Sequence, residues 1–140
     1  MPVKMKGVGL IEVLITVLVL AIGLLGLAGL QLSALQNNQS SYERSQGIVQ
    51  SYTIIEAIRA DTESAKSGRF NIAIDDDATG SNFPANALQT WREQLTQNLG
   101  EEATGSVNCT NTMCTVTIRW DDSRGTGGSD SQELVTEVQL

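Results

Sequence analysis

From Val8 to Leu30 the chain reads VGLIEVLITVLVLAIGLLGLAGL, apolar except for Glu12 and Thr16. Drawn as an α-helix, this run is roughly 34 Å long, enough to cross a hydrocarbon core of about 30 Å. It outlasts the apolar stretch of about 7–15 residues found in a cleaved secretory signal. Lys4 and Lys6 precede it, and the first charges beyond it are Glu43 and Arg44. The bias of basic residues toward the cytoplasmic side then puts a short N-terminus inside and the rest of the chain outside. All but one of the 16 acidic residues lie from Glu43 onward, so the 140 residues are two materials joined end to end. A soluble enzyme built on one core is not what this distribution predicts.

Composition narrows the chemistry further. With no His, every His-based general-base or nucleophile-activating arrangement is excluded. Two Cys without His cannot close a four-ligand N/S zinc site within one chain. Once Lys4 and Lys6 are set aside, seven basic residues face 16 acids, which is not the basic footprint of a nucleic-acid groove. No cofactor and no catalytic constellation is expected.

Glu12 is the residue that a plain membrane anchor leaves unexplained. A carboxylate at the centre of a bilayer costs about 2.5–3.5 kcal/mol, and somewhat less near an end, so an acid in a spanning segment points to function. It follows Gly7 by five residues, after a short basic leader. This combination resembles the signal of type IV prepilins and pseudopilins. The resemblance implies cleavage by a membrane-embedded prepilin peptidase after Gly7, methylation of Val8 as the new N-terminus, and a role for Glu12 in pairing with the terminal amine of a neighbouring subunit. The family usually carries Phe where this chain has Val8. An amine and a carboxylate enclosed together in a low-dielectric core compensate each other where either alone would be costly.

Gly23, Gly26 and Gly29 follow at intervals of three. They suit either close helix–helix packing or a segment that unwinds readily, since each interior Gly costs about 0.8–1.0 kcal/mol against Ala. The run through AIGLLGLAGLQ to YERSQ most resembles PilV-type minor pilins. Beyond Leu30 there is no Pro until Pro84, and Leu32, Leu35, Tyr42, Val49, Tyr52 and Ile55 recur at steps of three, four or seven, with Ile48 and Ile58 widening the stripe. This predicts one continuous helix of roughly 55 residues with one face to bury, stopping near Gly68. A hinge at Gln36–Gln39 is the alternative.

The polar connector that follows contains Asp75-Asp76-Asp77. Asp75, Asp77, Thr79 and Gly80 match the first half of a calcium loop, but Asn86 stands where its bidentate Glu belongs, so a solvated acidic turn is the reading preferred here. Pro84 suits a helix start, Leu88, Trp91, Leu95 and Leu99 define one face, and Gly100 suits a C-terminal stop. Strands are expected at Val107–Cys109, at Cys114–Trp120 and from Leu134 to the end, with DDSRGTGGSDS between the last two as a mobile hairpin loop. Cys109 and Cys114 flank a tight turn, and outside the membrane they are expected to form a disulfide.

These readings give an α+β, type IV pilin-like fold. Residues 1–7 form a leader, 8–30 a transmembrane helix, 31–67 its amphipathic continuation and 68–140 a periplasmic or extracellular head with an antiparallel sheet. The resemblance implies a minor pilin that helps prime pilus assembly and enters the fibre or its tip, serving motility or adhesion. Its partners would be major and minor pilins, the prepilin peptidase, the inner-membrane assembly machinery and a tip adhesin, with no nucleic acid. It would start as a single-pass inner-membrane protein with its head in the periplasm. A minor pseudopilin of a type II secretion system would carry the same signal, and an unprocessed membrane-anchored binding domain would share the helix.

Overall fold

The computed structural model describes Gly7 and residues 9–140. In chain order it contains α1 (Leu10–Ala60), α2 (Thr62–Lys66), α3 (Phe83–Leu99), β1 (Thr104–Cys109), β2 (Met113–Trp120) and β3 (Gln132–Gln139). A long N-terminal apolar helix and a small antiparallel sheet make this an α+β chain. It divides into two units, Met1–Leu35 and Gln36–Leu140.

Among its described residues, the first unit is the opening part of α1. The apolar window of this helix is long enough to cross a membrane, and none of it is buried within the chain. That separates it from the core helix of a soluble domain, whose apolar residues are covered. Gly23, Gly26 and Gly29 stay helical, and a Cβ added at any of them would meet nothing within 4 Å.

The helix shows no break at Gln36–Gln39, but it stops short of the expected end. Asp61 leaves helical geometry, and its side chain accepts a hydrogen bond from the Ser64 N–H at 3.1 Å, so it caps a separate short helix instead of extending α1. The Ser64 hydroxyl first, and this backbone bond second, hold the Asp61 carboxyl below the ordinary aspartate range. Gly68 (φ 76°) then ends α2. Its N–H donates to the Ala65 carbonyl and that of Arg69 to the Ser64 carbonyl, the paired closure that a left-handed Gly permits.

In the second unit the face of α1 that packs inward is not the expected stripe. Ile55 and Ile58 are buried as predicted, but Tyr42, Ile48, Val49 and Tyr52 are exposed, as are Leu32 and Leu35 of the first unit. The buried positions are Glu43, Gly47, Gln50, Ser51, Ile54, Ile55 and Ile58. Small residues are needed there because large ones come from the sheet. A Cβ on Gly47 would already lie 3.5 Å from both the Trp120 ring and Leu134. Helix α1 therefore has an inward face of small, polar and Ile side chains and an apolar face that none of the described residues covers.

Helix α3 begins as its sequence suggests. Asn82 caps it by accepting from the Ala85 N–H at 3.0 Å, Pro84 sits in the first turn, and Gly100 (φ 112°) closes it. Leu88, Trp91, Leu95 and Leu99 are all buried. Trp91 joins both layers, because its Nε1–H donates to the Gln50 carbonyl of α1 at 2.9 Å while its ring lies over Gly105 of β1. Residues of α1, α3 and one face of the sheet form a single core with Phe70 and Ile72.

The sheet has the order β1-β2-β3 and is antiparallel throughout. Strand β1 starts at Thr104, earlier than alternation alone indicated, because Gly105 carries no side chain to mark a face. The β2–β3 connection, expected from its Gly content to be a mobile hairpin loop, is folded on itself by backbone hydrogen bonds. Asp122, only 2% exposed, donates its N–H to the Ser129 carbonyl at 2.9 Å, and the N–H groups of Gly125 and Gly128 donate to the Asp122 and Gly125 carbonyls in turn. The Asp122 carboxylate accepts from Ser40 Oγ at 2.7 Å, which ties the folded loop to α1.

Gly105 gives the sharpest test of this packing. A Cβ there would fall 2.4 Å from the Trp91 ring and 3.0 Å from the Thr117 carbonyl. Gly105→Ala is expected to cost about 1–3 kcal/mol through overpacking, read as a lower melting temperature by tryptophan fluorescence of the detergent-solubilised protein. Gly23→Ala, placed in open space and outside the unit that holds both Trp, should not lower the same melt.

Candidate functional site

The sequence placed its functional residues at the start of α1. Gly7 is exposed and outside regular structure, and α1 begins three residues later. The Glu12 and Val13 N–H groups donate to the Gly9 carbonyl at 2.9 and 3.3 Å. Glu12 thus lies in the first turn, where the unpaired N–H groups of a helix favour a carboxylate. Its own carbonyl accepts from Thr16 Oγ1 at 2.7 Å, so the one hydroxyl of the apolar run is satisfied within the helix. The Glu12 side chain is exposed, and no cation meets it among the described residues. Val8, with Lys4 and Lys6 before it, lies outside the described residues.

The acidic connector forms no metal cluster. No group of three His, Cys, Asp or Glu side chains that could hold an ion occurs among the described residues. Asp75 faces Arg119 at 3.7 Å, and the backbone of the connector is organised by Arg92. The Arg92 guanidinium donates to the carbonyls of Ala73 (2.6 Å), Gly105 (2.7 Å) and Asp76. Burial lowers its pKa from the ordinary arginine value, opposed by the charges of Asp77, Asp76 and Asp75.

Three polar residues that sequence reasoning missed hold this unit together. They are Arg92, Asp122 with its Ser40 and Arg44 partners, and Asn71, whose amide bonds both backbone groups of Cys109. Each acts on a segment far away in the sequence, and no local motif signals such a contact. The nearest hint is Asn71 between two apolar residues that pack into the core.

The structure does bring the two cysteines together. Cys109 and Cys114 face each other across the β1–β2 hairpin and are disulfide-bonded, with Cα atoms 4.0 Å apart. Both sulfurs belong to the core, with Cys114 wholly buried. Replacing both with Ala is expected to cost about 2 kcal/mol of chain-entropy stabilisation. Replacing both with Ser should cost roughly 1–3 kcal/mol more, because two hydroxyls would enter an apolar site. Thermal melts of the two double mutants, together with thiol labelling of the denatured, unreduced wild type, check this order. Equal melts for Ala and Ser pairs would contradict the core placement.

No protein-family model matches this chain, and no curated protein or solved structure matches it either.

Proposed function

We propose that this chain is a minor pilin, a subunit that enters the membrane through α1 and is then packed by that helix into a type IV pilus fibre, helping to prime its assembly. The observation that carries the reading is Glu12. It is the one charged residue of α1 before Glu43, in the first turn, five residues after Gly7. Two further features support it. The apolar window of α1 is uncovered within the chain, and the face with Tyr42, Val49 and Tyr52 remains open where α1 packs on the sheet. The work done is assembly: the helix supplies the packing surface, and the disulfide-stapled α+β unit is carried on it.

On this reading Gly7 is the last residue of a leader and Val8 becomes a methylated N-terminus. Intact mass and N-terminal sequencing of the membrane-extracted protein should place the cut between Gly7 and Val8. Gly7→Ala should be cut in part, and Gly7→Leu should accumulate as precursor. A mature chain that still begins at Met1 in a peptidase-competent cell contradicts the proposal.

Glu12 separates assembly from insertion. Glu12→Ala removes a charge near one end of the span, where it costs somewhat less than the ~2.5–3.5 kcal/mol of the bilayer centre, so the mutant should insert at least as well as wild type. It should nonetheless be lost from sheared fibres and fail to support normal fibre numbers. Equal recovery in the fibre fraction, with unchanged fibre number, would rule out the pairing role.

A further inference from the structure

The two edges of the sheet are treated differently. On the β1 side, most of the outward backbone groups are taken. Val107 exchanges both its hydrogen bonds with Ile72 at 2.9 and 3.1 Å, the Asn71 amide caps the N–H and carbonyl of Cys109, and Arg92 donates to the Gly105 carbonyl. Residues from two distant segments thus close most of that edge.

The β3 edge is open. The Leu140 N–H donates to the Thr112 carbonyl at 3.0 Å, which fixes the alternation. Even-numbered residues of β3 bond to β2, and Glu133, Val135, Glu137 and Gln139 turn their N–H and carbonyl groups away from the sheet. Among the described residues no hydrogen bond reaches those groups. The strand runs for eight residues without a Pro or a bulge, so it offers a full template for pairing.

Side chains say what would pair with it. The inward row, Leu134, Val138 and Leu140, packs against the core but is only partly buried, and one more strand would complete its cover. The outward row sets Glu133 and Glu137 on either side of Val135, all three exposed. A second β3 laid antiparallel about Val135 would put Glu133 opposite Glu137 twice, and an in-register parallel copy would stack Glu on Glu. Like charges directly opposite each other destabilise a pair, so the row selects against self-pairing.

We infer that the free edge of β3 accepts an extended strand from another polypeptide, one that alternates basic residues facing Glu133 and Glu137 with apolar residues facing Leu134 and Val138. Main-chain hydrogen bonds would supply affinity and the two glutamates the choice of partner. The inference uses the sheet alone and stands whether or not Gly7 is cut or the chain enters a fibre.

The test uses the full chain in detergent and a capped peptide probe, Lys-Val-Thr-Val-Lys-Val. Amide hydrogen exchange should show Glu133, Val135, Glu137 and Gln139 exchanging fast in the free protein and at least about tenfold slower with the peptide. A version with Glu in place of Lys should bind about tenfold more weakly, and one N-methylated on the amides facing β3 should not protect at all. Val135→Pro removes an outward N–H without touching the β2–β3 ladder and should abolish protection. Should that variant fail to fold, Glu133→Lys with Glu137→Lys should reverse the preference toward the Glu peptide. Unprotected amides, equal binding of Lys and Glu peptides, or protection that grows with protein concentration in the absence of peptide would overturn the inference, the last by identifying a second copy as the occupant.

Discussion

Apolar side chains along the first half of α1 cannot remain in water. From Leu10 to Leu35 the large hydrophobic residues are each about half exposed or more. Full burial of one such side chain is worth about 1.5–3 kcal/mol, so leaving this surface wet would outweigh the ~5–15 kcal/mol that stabilises an ordinary domain. None of the described residues covers it, and a lipid bilayer is one environment that would. On the reading proposed above it meets lipid and then the helices of other subunits, and Glu12 is what makes the second environment favourable. In lipid the carboxylate is a cost; beside a neighbour's terminal amine, that cost is offset.

The C-terminal unit solves a different problem with few resources. Three strands and one four-to-five-turn helix are a small core, and α1 contributes to it by using small residues where the sheet provides large ones. Trp91 and Trp120 fill the space against Gly105 and Gly47. The connectors are then held by side chains that bond to backbone. Arg92 gathers the segment after Ile72, Asn71 holds the start of the disulfide hairpin, and Asp122 fastens the Gly-rich loop to Ser40. Of these three only Asp122 is buried, and its carboxylate meets Ser40 and Arg44, which is the condition for a buried charge not being a liability.

Much of this architecture was legible because it rests on local patterns. Uniform apolarity marked the first part of α1, the 3–4 spacing of Leu88, Trp91, Leu95 and Leu99 marked α3, and strict alternation from Cys114 to Trp120 marked β2. Periodicity failed where it had to say what covers a face. The stripe through Tyr42, Val49 and Tyr52 is a true helical face, yet the chain buries the opposite one, with Glu43, Gln50 and Ser51 on it. Asp61 was hidden because an Asp within a helical run caps a new helix only if the backbone turns there. Asp122 and Arg92 were hidden because their partners are far away in sequence. The Gly7–Glu12 spacing was visible from the start, but on the reading proposed above its meaning lies in contacts with other chains.

The division of α1 into an inward face and an open apolar face can be measured directly by hydroxyl-radical footprinting, residue by residue. In detergent-solubilised protein Tyr42 and Tyr52 should be modified readily, while Ile54 and Trp91 should be protected. In sheared fibres containing the subunit, Tyr42 and Tyr52 should become protected by about an order of magnitude if burial there approaches that of a core, with Ile54 unchanged. If Tyr42 and Tyr52 are modified equally in the free protein and in the fibre, the open face is not a packing surface, and the assembly account fails.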